Sequence, residues 1–227
     1  MTLPKAITFD CFGTLIDWES EIQKVFKQIL LKNGVTDVDV VGLQRHWENI
    51  QFEYIQEDYR PYKEVLKNTL PMAFRDYGYP FTPEDSVSFA ESMGTWQPFP
   101  DTKEALLELR KYTKIALITN TDDDIISETV KQIGVEFDEI ITAEQAGVYK
   151  PNHQGFYLAL ERLGLDKSEI LHTGFGCKYD VGRATELGIQ SCWVNRYGEV
   201  RPANVKETYL VGDMTTFALL IKGMAMS

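Results

Sequence analysis

Cysteine and histidine are scarce in this sequence, and the few present are scattered. The three cysteines are Cys11, Cys177 and Cys192, and the three histidines are equally dispersed among the 227 residues. An odd, widely spaced set of cysteines argues against a disulfide framework. Neither residue type shows the paired spacing of a zinc site. We therefore expect reduced thiols and no structural zinc.

Positive charge and long apolar runs are also in short supply. The chain carries 23 Lys and Arg against 34 Asp and Glu, a formal net charge of -11. Such a chain repels polyanions, and no basic cluster interleaved with aromatic residues offsets this, so nucleic acid and anionic membranes are poor partners. No apolar run has the length of a signal peptide or a membrane span. These absences predict a cytoplasmic protein.

The rest of the composition is typical of a folded globular protein. Hydrophobic residues make up 44% of the chain and charged residues 25%, which is ordinary for a soluble domain. A chain of this length can bury a sizeable core, either as one domain with a large insertion or as two domains.

Helix and strand patterns alternate from Asp101 onward. Asp101 and Glu104 form a predicted capping box at the start of a helix. Buried strands are predicted at 114–119, 137–142, 169–173 and 189–194, with amphipathic helices between them. Strands that alternate with helices in this way indicate an α/β fold with a doubly wound parallel sheet.

A different pattern, of helices alone, fills the stretch from 17 to about 98. Four apolar stripes at helical spacing lie in it, rich in aromatic residues. Most of these aromatics are expected in the core of a helical bundle, and a minority above Asp10. We predict an α/β core domain of residues 1–16 and 99–227, with an inserted all-α cap domain of residues 17–98.

Asp10 follows a short apolar run and enters a glycine turn, in the sequence Ile7-Thr8-Phe9-Asp10-Cys11-Phe12-Gly13-Thr14-Leu15. A carboxylate in this position can act as a nucleophile, although Asp beside Gly and Thr is also ordinary turn chemistry. Ligands of doubly wound sheets bind beyond the carboxyl ends of the strands. Asp10, Thr119 and the residues after Thr173 are therefore expected to converge.

Four motifs in a fixed order make the pattern specific. They are Asp10 with Gly13-Thr14, Thr119-Asn120 after a strand, Lys150-Pro151 before a helix, and Asp180 after another strand. Together they resemble the haloacid dehalogenase superfamily over essentially the whole chain. The chain looks most like the L-2-haloacid dehalogenase branch, because Phe12 places an aromatic residue where phosphatases of the superfamily carry a second aspartate.

The resemblance implies roles for four catalytic residues. Asp10 would attack an sp3 carbon and form an aspartyl ester, Thr14 would orient its carboxylate, and Lys150 would keep it ionised. Asp180 would pair with Lys150 and position the hydrolytic water. Each of the last three also has an ordinary structural interpretation, respectively a turn hydroxyl, a solvated lysine and a helix cap.

The resemblance also implies a substrate pocket. Thr119 and Asn120 would donate to the substrate carboxylate or leaving group, with the backbone amides of Cys11 and Phe12 completing an anion site. Strand-end hydrogen bonding is the structural alternative for Thr119 and Asn120. The run of acidic residues at 122–124 is expected in the solvated first turn of a helix.

Phe175 bears on metal dependence. Phosphatases of the superfamily hold magnesium partly through a carboxylate five residues before the position of Asp180, which is Phe175 here. Magnesium prefers oxygen ligands in octahedral geometry, and an aromatic ring offers none. We therefore predict no required metal and no other cofactor.

The cap departs from the family pattern. Dehalogenases of this branch receive the halide on a cap arginine, whose place in the stretch beginning at Trp47 is taken by Glu48. Either Arg45 or Arg60 substitutes from a neighbouring turn, or the leaving group is not a halide. Arg45, Trp47, Glu48 and Phe175 are accordingly predicted among the substrate-binding residues. A family tyrosine falls on Phe156, and the polar residues of the fourth motif become Phe175, Gly176 and Cys177.

The leading hypothesis is therefore a metal-independent hydrolase acting on a small 2-substituted carboxylic acid, specifically an (S)-2-haloacid dehalogenase. Ring opening of L-azetidine-2-carboxylate by the same nucleophile is the first alternative, because a substrate amine would accept Glu48. A phosphatase is the second, from fold alone, and a binding protein that has lost catalysis is the third. The resemblance also allows a homodimer, although the sequence shows no pattern that would identify its interface.

Overall fold

Six parallel strands form one sheet in the computed structural model, which describes residues 2–227. The strands are β1 (Ala6–Phe9), β2 (Lys114–Thr119), β3 (Glu139–Thr142), β4 (Ile170–Gly174), β5 (Gln190–Val194) and β6 (Tyr209–Val211). Their order is β3-β2-β1-β4-β5-β6. The central strand β1 therefore lies between β2 and β4, and the predicted α/β fold with a doubly wound parallel sheet is confirmed.

Helices connect the strands and also form a separate group between β1 and β2. That group is α1 (Trp18–Lys32), α2 (Val40–Tyr54), α3 (Tyr62–Asp76) and α4 (Pro83–Ser92). The helices that follow are α5 (Thr102–Leu109), α6 (Asp123–Ile133), α7 (Ala143–Ala146), α8 (Gln154–Leu163), α9 (Gly182–Leu187) and α10 (Met214–Ala225). None of the helices in the described part of the chain combines the length and apolarity that crossing a membrane requires.

Local sequence explains several helix ends. Asp17 accepts a hydrogen bond from the Ser20 amide at the start of α1. Thr82 and Asp85 form a reciprocal capping box at the start of α4, with Pro83 in the first turn. Helices α6 and α8 end at glycines with positive φ, as the apolar stripes predict.

Aromatic side chains hold α1–α4 together. Phe26 lies at the centre, with its ring 5.2 Å from Phe74, 5.1 Å from Phe89 and 6.0 Å from Trp47. All four rings are fully buried, so the prediction that most of the aromatic residues form a helical core is confirmed for these positions.

Two adjacent chain segments join this helical group to the sheet. Ile16 and Pro98 form an antiparallel bridge, and the Asp17 amide donates to the Gln97 carbonyl at 3.1 Å. The chain thus leaves and re-enters the sheet layer at one place. The division into a core of residues 1–16 and 99–227 and a cap of residues 17–98 remains a prediction, and this paired crossing point is consistent with it.

Asp101 corrects one prediction. Its side chain makes no capping bond to α5. It instead accepts hydrogen bonds from the Arg196 guanidinium at 3.0 and 3.1 Å and from the Met214 amide at 2.8 Å. A carboxylate that faces both an arginine and the N-terminus of another helix finds stronger donors there than in its own first turn.

Candidate active site

The first strand and a glycine turn position Asp10. Its backbone amide donates to the Thr173 carbonyl of β4 at 2.9 Å, which fixes Asp10 at the carboxyl end of the sheet. Gly13 follows with φ of 95°, and a Cβ at this position would overlap the Phe175 ring. Only glycine both adopts this positive φ readily and leaves room for the ring. The turn therefore allows Phe175 to pack directly on the Gly13 backbone, close to the Asp10 carboxylate.

Three charged side chains meet at this point. The Lys150 ammonium donates to Asp10 Oδ1 at 2.8 Å, to Asp180 Oδ1 at 2.6 Å and to the Ile118 carbonyl at 2.9 Å. Thr14 Oγ1 donates to Asp10 Oδ2 at 2.9 Å and accepts from the Phe175 amide. All four residues predicted as catalytic are therefore brought together, and all four are buried.

Burial and mutual charge set the protonation states. Burial raises the pKa of Asp10 to about 6, against the opposing effect of Lys150, and the Asp180 charge raises it further. Burial also disfavours an ionised Asp180, but Lys150 and His172 outweigh it, so its pKa lies below the usual range. Both carboxylates hold the pKa of Lys150 above its ordinary value in spite of burial. The cluster carries one net negative charge at neutral pH.

Asn120 fixes the backbone that carries Lys150. Its Nδ2 donates to the Lys150 carbonyl at 3.0 Å, and its Oδ1 accepts from the Lys150 amide at 2.7 Å. Strand β2 ends just before it, so the sheet and the lysine loop are locked together. The amide of Asn120 is thus used structurally, although the residue also borders the cavity described next.

A cavity of about 50 Å³ lies above Asp10, between the sheet and the helices of residues 18–92. Four residues predicted to contact substrate line it, namely Phe12, Thr119, Asn120 and Phe175. Sequence reasoning did not assign the remaining non-catalytic lining residues, which are Trp18, Gln51, Tyr62, Met93 and Tyr179. Aromatic rings and one methionine make most of this wall apolar, so it suits a small organic substrate.

Four residues predicted to bind substrate have side chains outside the lining. Arg45 is exposed on α2, and Glu48 is half-buried. Trp47 is fully buried and donates to Thr69 at 2.9 Å. The Cys11 side chain is also fully buried, and its backbone carbonyl accepts hydrogen bonds from the amides of Leu15 and Ile16. For the three residues on α2 the reason is that this helix presents a different turn to the cavity. The substrate-binding roles of all four residues remain predictions, and for Cys11 the predicted contact is made by its backbone amide.

Gln51 is the residue that α2 presents to the cavity. It follows Trp47 by four positions and Glu48 by three, so it lies about one helical turn beyond the position predicted to receive the leaving group. Arg60 does not replace it, because its guanidinium pairs with Glu57 at 2.9 Å and lies 4.5 Å above the Tyr54 ring. The cap therefore contributes a neutral amide to the cavity, and neither Arg45 nor Arg60 reaches its lining.

Two tyrosine hydroxyls accompany Gln51 at the cavity wall. Within residues 2–227, the side-chain polar groups of Gln51, Tyr62 and Tyr179 make no hydrogen bond. Burial first, and then the neighbouring acidic groups Asp122 for Tyr62 and Tyr62 for Tyr179, raises the pKa of both phenols above the ordinary range. Both stay protonated at neutral pH, so each offers an O–H donor.

Asp122 corrects another prediction. It is buried instead of solvated, and its carboxylate accepts from the backbone amides of Tyr62 at 2.6 Å and Lys63 at 2.9 Å. Helix α3 begins at Tyr62 after Pro61, which supplies no side-chain cap. A core carboxylate about 60 residues away in sequence therefore caps α3 and sets the position of Tyr62.

The donor set of the site does not suit magnesium. Both oxygens of Asp10 already accept from Lys150 and Thr14, and Phe175 presents a ring where a phosphatase ligand would be an oxygen. An ammonium 2.8 Å from the carboxylate also repels a divalent cation. Across residues 2–227, no group of three or more His, Cys, Asp or Glu side chains has the arrangement of a metal site.

Comparisons with known proteins agree with this geometry. The haloacetate dehalogenase H-2 of Moraxella sp. (strain B) is 29% identical over 197 residues, which cover 86% of this chain and 87% of that protein. The (S)-2-haloacid dehalogenase of Pseudomonas sp. (strain YL) is 26% identical over 199 residues, covering 86% and 84% respectively.

Structural similarity extends over nearly the whole chain. The L-2-haloacid dehalogenase from Xanthobacter autotrophicus with chloropropionic acid covalently bound superposes with a TM-score of 0.80 at 23% identity, covering 99% of this chain and 100% of that one. At this identity the likeness establishes the fold. The sequence profile of haloacid dehalogenase-like hydrolases matches residues 4–180, more than half of the chain. The protein therefore belongs to the haloacid dehalogenase-like hydrolase family.

Proposed function

We propose that the protein is an (S)-2-haloacid dehalogenase that acts through an ester of Asp10. The observation that carries this proposal is the buried Asp10 carboxylate, held by Lys150 and Thr14 below a small cavity with Phe12 and Phe175 in its wall. Aromatic rings at these two positions leave the site without the second acid and the metal ligand of a phosphatase. The related dehalogenases support the same chemistry.

The first half-reaction is substitution at carbon. An Asp10 carboxylate oxygen attacks C2 of the substrate from the face opposite the halogen, the carbon–halogen bond breaks, and its electron pair departs with the halide. Lys150 and Thr14 hold the attacking carboxylate in one orientation, which lowers the entropic cost of reaching the transition state. Attack from behind inverts the configuration at C2 once.

The second half-reaction is ester hydrolysis. Water adds to Cγ of Asp10, and the bond from Cγ to the ester oxygen breaks, so this former Asp10 oxygen leaves as the hydroxyl of the product and the water oxygen restores the carboxylate. Asp180 Oδ1 accepts from Lys150, whereas Asp180 Oδ2 has no hydrogen-bond partner in the described chain, residues 2–227, and is the acceptor that would orient this water. The sum of both steps is a haloacid and water giving a hydroxy acid, a halide ion and a proton.

Neutral donors would receive the leaving halide. Among the lining residues the cation is Lys150, and it is already engaged by two carboxylates. Gln51, Tyr62 and Tyr179 carry unpartnered hydrogen-bond donors on the cavity wall, whereas the indole N–H of Trp18, which has no partner within residues 2–227 either, is fully buried. We assign halide solvation to these three side chains, and binding of the substrate carboxylate to Thr119 with the backbone amides of Cys11 and Phe12.

Glu48 is the residue that would favour the azetidine alternative. A negative side chain facing the cavity would favour a substrate amine, but Glu48 lies outside the cavity lining. Its pKa is raised to about 7, by burial first and then by Glu19, so it also carries less charge than the sequence implies. No observation therefore favours ring opening over dehalogenation.

A single-turnover reaction in water labelled with heavy oxygen tests the proposal. Excess enzyme converts (S)-2-chloropropionate with a chelator present, and the peptide around Asp10 is then analysed by mass spectrometry. We expect label in the Asp10 carboxylate, chloride release and (R)-lactate. Asp10→Asn should abolish all three, whereas the exposed control Asp124→Asn should retain them. Label appearing only in lactate would contradict the ester mechanism.

A further inference from the structure

His172 is a buried titratable residue that the steps above leave without a role. It lies in β4, directly opposite Thr8 of β1, and both side chains are fully buried. His172 Nδ1 lies 2.9 Å from Thr8 Oγ1, and His172 Nε2 lies 3.3 Å from Asp180 Oδ1. The imidazole therefore connects Thr8 of the central strand β1 to the Asp180 carboxylate of the active site.

The surroundings define which nitrogen carries the proton. Burial lowers the pKa of His172 despite the nearby Asp180 charge, so the ring is neutral at neutral pH. An unprotonated Nε2 would direct its lone pair at the Asp180 carboxylate, which is repulsive. The favourable tautomer has Nε2–H donating to Asp180 and Nδ1 accepting from the Thr8 hydroxyl. Thr8 thus selects the tautomer that binds Asp180.

The two oxygens of Asp180 have different surroundings as a result. Oδ1 accepts from both Lys150 and His172, whereas Oδ2 is buried without a hydrogen-bond partner in residues 2–227. Two donors on one oxygen restrict rotation of the carboxylate, which one lysine contact does not do. The unpartnered oxygen is then kept for a water molecule, since a buried acceptor gains from any donor that reaches it.

Packing holds the imidazole in this orientation. The Phe156 ring meets His172 edge to face, with 4.8 Å between the ring centres, and Phe156 is fully buried. Phe156 occupies the position where the family resemblance places a tyrosine, so this chain has lost a hydroxyl beside the lysine motif. His172 supplies a polar group in the same region from a neighbouring strand.

We propose that His172, oriented by Thr8, is a positioning residue for the hydrolysis half-reaction, holding Asp180 so that its Oδ2 directs water at the Asp10 ester. The inference rests on the proposed function. Because Asp10, Thr14 and the leaving-group donors make no hydrogen bond to His172 within residues 2–227, ester formation does not depend on it. Loss of the pair Thr8–His172 therefore slows the second half-reaction selectively.

Rapid-quench kinetics with (S)-2-chloropropionate test this selectivity. For His172→Phe and for Thr8→Val we expect a burst of about one chloride per enzyme, followed by steady-state turnover about 10- to 100-fold below that of the unchanged protein. The Asp10 ester should accumulate and be detected as a mass adduct on the intact chain. His172→Gln, whose Nε2 reaches nearly as far as that of histidine, should restore most of the turnover.

Matched controls separate positioning from general damage. Thr129 is a second fully buried threonine, bonded to the Ile125 carbonyl within α6, so Thr129→Val should show neither burst nor adduct. Thermal unfolding verifies that each variant is folded, and the nearly isosteric Thr8→Val carries the test where His172→Phe is unfolded. Unchanged turnover, or equal slowing of both phases without adduct, overturns the inference. An unchanged protein that never labels Asp10 overturns the proposed function instead.

Discussion

The ionisation of Asp10 sets the pH dependence of the first step. Only the carboxylate is nucleophilic, and burial raises its pKa to about 6. The carboxyl group of a 2-haloacid titrates far lower, because the adjacent halogen withdraws electrons. We therefore expect kcat/KM for (S)-2-chloropropionate to rise from pH 5 to pH 7 with a midpoint near 6. A profile that is flat down to pH 4.5 would show that the folded protein does not raise this pKa.

The raised pKa of Asp10 also lowers the stability of the folded protein at neutral pH. The folded protein holds the Asp10 proton more tightly than the unfolded chain, whose carboxyl titrates near 3.9, so ionisation destabilises the fold as pH rises from about 4 to about 6. Asp10→Asn removes that cost. At pH 8 the variant should be more stable by about 1–3 kcal/mol, and the difference should vanish below pH 4. Urea unfolding at both pH values measures it, and a less stable variant at pH 8 would contradict the argument.

Three substitutions test the neutral halide donors. Gln51→Leu, Tyr62→Phe and Tyr179→Phe should each lower kcat/KM about 10- to 100-fold. The loss should be larger for 2-chloropropionate than for the bromo compound, because chloride is the stronger hydrogen-bond acceptor. Matched controls are Gln44→Leu, a buried glutamine two turns earlier on α2, and Tyr59→Phe, a tyrosine outside the cavity. An equal loss for both halogens would assign these side chains to packing alone.

Individual residues of the site differ in how far the sequence predicted them. Asp10, Thr14, Lys150 and Asp180 are implied together by the resemblance to the haloacid dehalogenase superfamily. The shared carboxyl edge of parallel strands independently predicts only that Asp10, Thr119 and the residues after Thr173 converge. Gln51 and Tyr62 belong to helices whose rotation against the sheet is not encoded in their apolar periodicity. His172 was overlooked because a histidine inside a buried strand looks like any core residue until its neighbour on β1 is known.

At the level of elements, the start of α3 depends on a residue of the core. Asp122 accepts from the first two amides of the helix, where Pro61 provides no cap. We expect Asp122→Ala to cost about 1–2 kcal/mol of unfolding free energy. It should also raise KM, because Tyr62 is displaced from the cavity wall. Denaturant unfolding and steady-state kinetics measure both effects.

A neighbouring carboxylate provides the comparison. Asp124 is exposed in the first turn of α6 and pairs with Lys63 in the first turn of α3. Exposed ion pairs of this kind contribute little to stability. Asp124→Ala should therefore change stability by less than about 0.5 kcal/mol and leave KM unchanged. Equal effects at Asp122 and Asp124 would mean that the carboxylate of Asp122 acts through surface charge, and that its capping of α3 is unimportant.

Element predictions succeeded where local patterns are long. Strand β2 matches its predicted range of 114–119, and α6 ends at the predicted glycine. Strand β6, with three residues, and α10 were not predicted, because a strand this short has no usable alternation. Asp101 and Glu104 have the spacing of a capping box, yet the Asp101 carboxylate binds the Arg196 guanidinium and the Met214 backbone amide instead. A long-range partner of this kind is invisible in a local pattern.

For the whole molecule, the cavity exists only where the helical segment lies on the sheet. Phe52 of α2 packs edge-on against Tyr179 at 5.2 Å, and the Lys178 ammonium lies 4.9 Å above the same Phe52 ring. On the other side, the Tyr149 hydroxyl donates to the Arg60 carbonyl at 2.6 Å. Composition and periodicity predict two groups of elements, but these contacts determine which helix turn faces Asp10.

The net charge of the whole chain opposes the approach of an anionic substrate. At a formal charge of -11, with one net negative charge at the site itself, the protein repels a 2-haloacid carboxylate over roughly a Debye length, about 30 Å at 0.01 M salt and 8 Å at 0.15 M. Added salt should therefore raise kcat/KM for 2-chloropropionate about twofold or more across this range, with kcat unchanged. The neutral 2-chloropropionamide is the matched control, and its slower turnover should not depend on salt. A fall in kcat/KM with salt for the carboxylate alone would mean that positive potential at the cavity mouth attracts the substrate, in conflict with a halide site made of neutral donors.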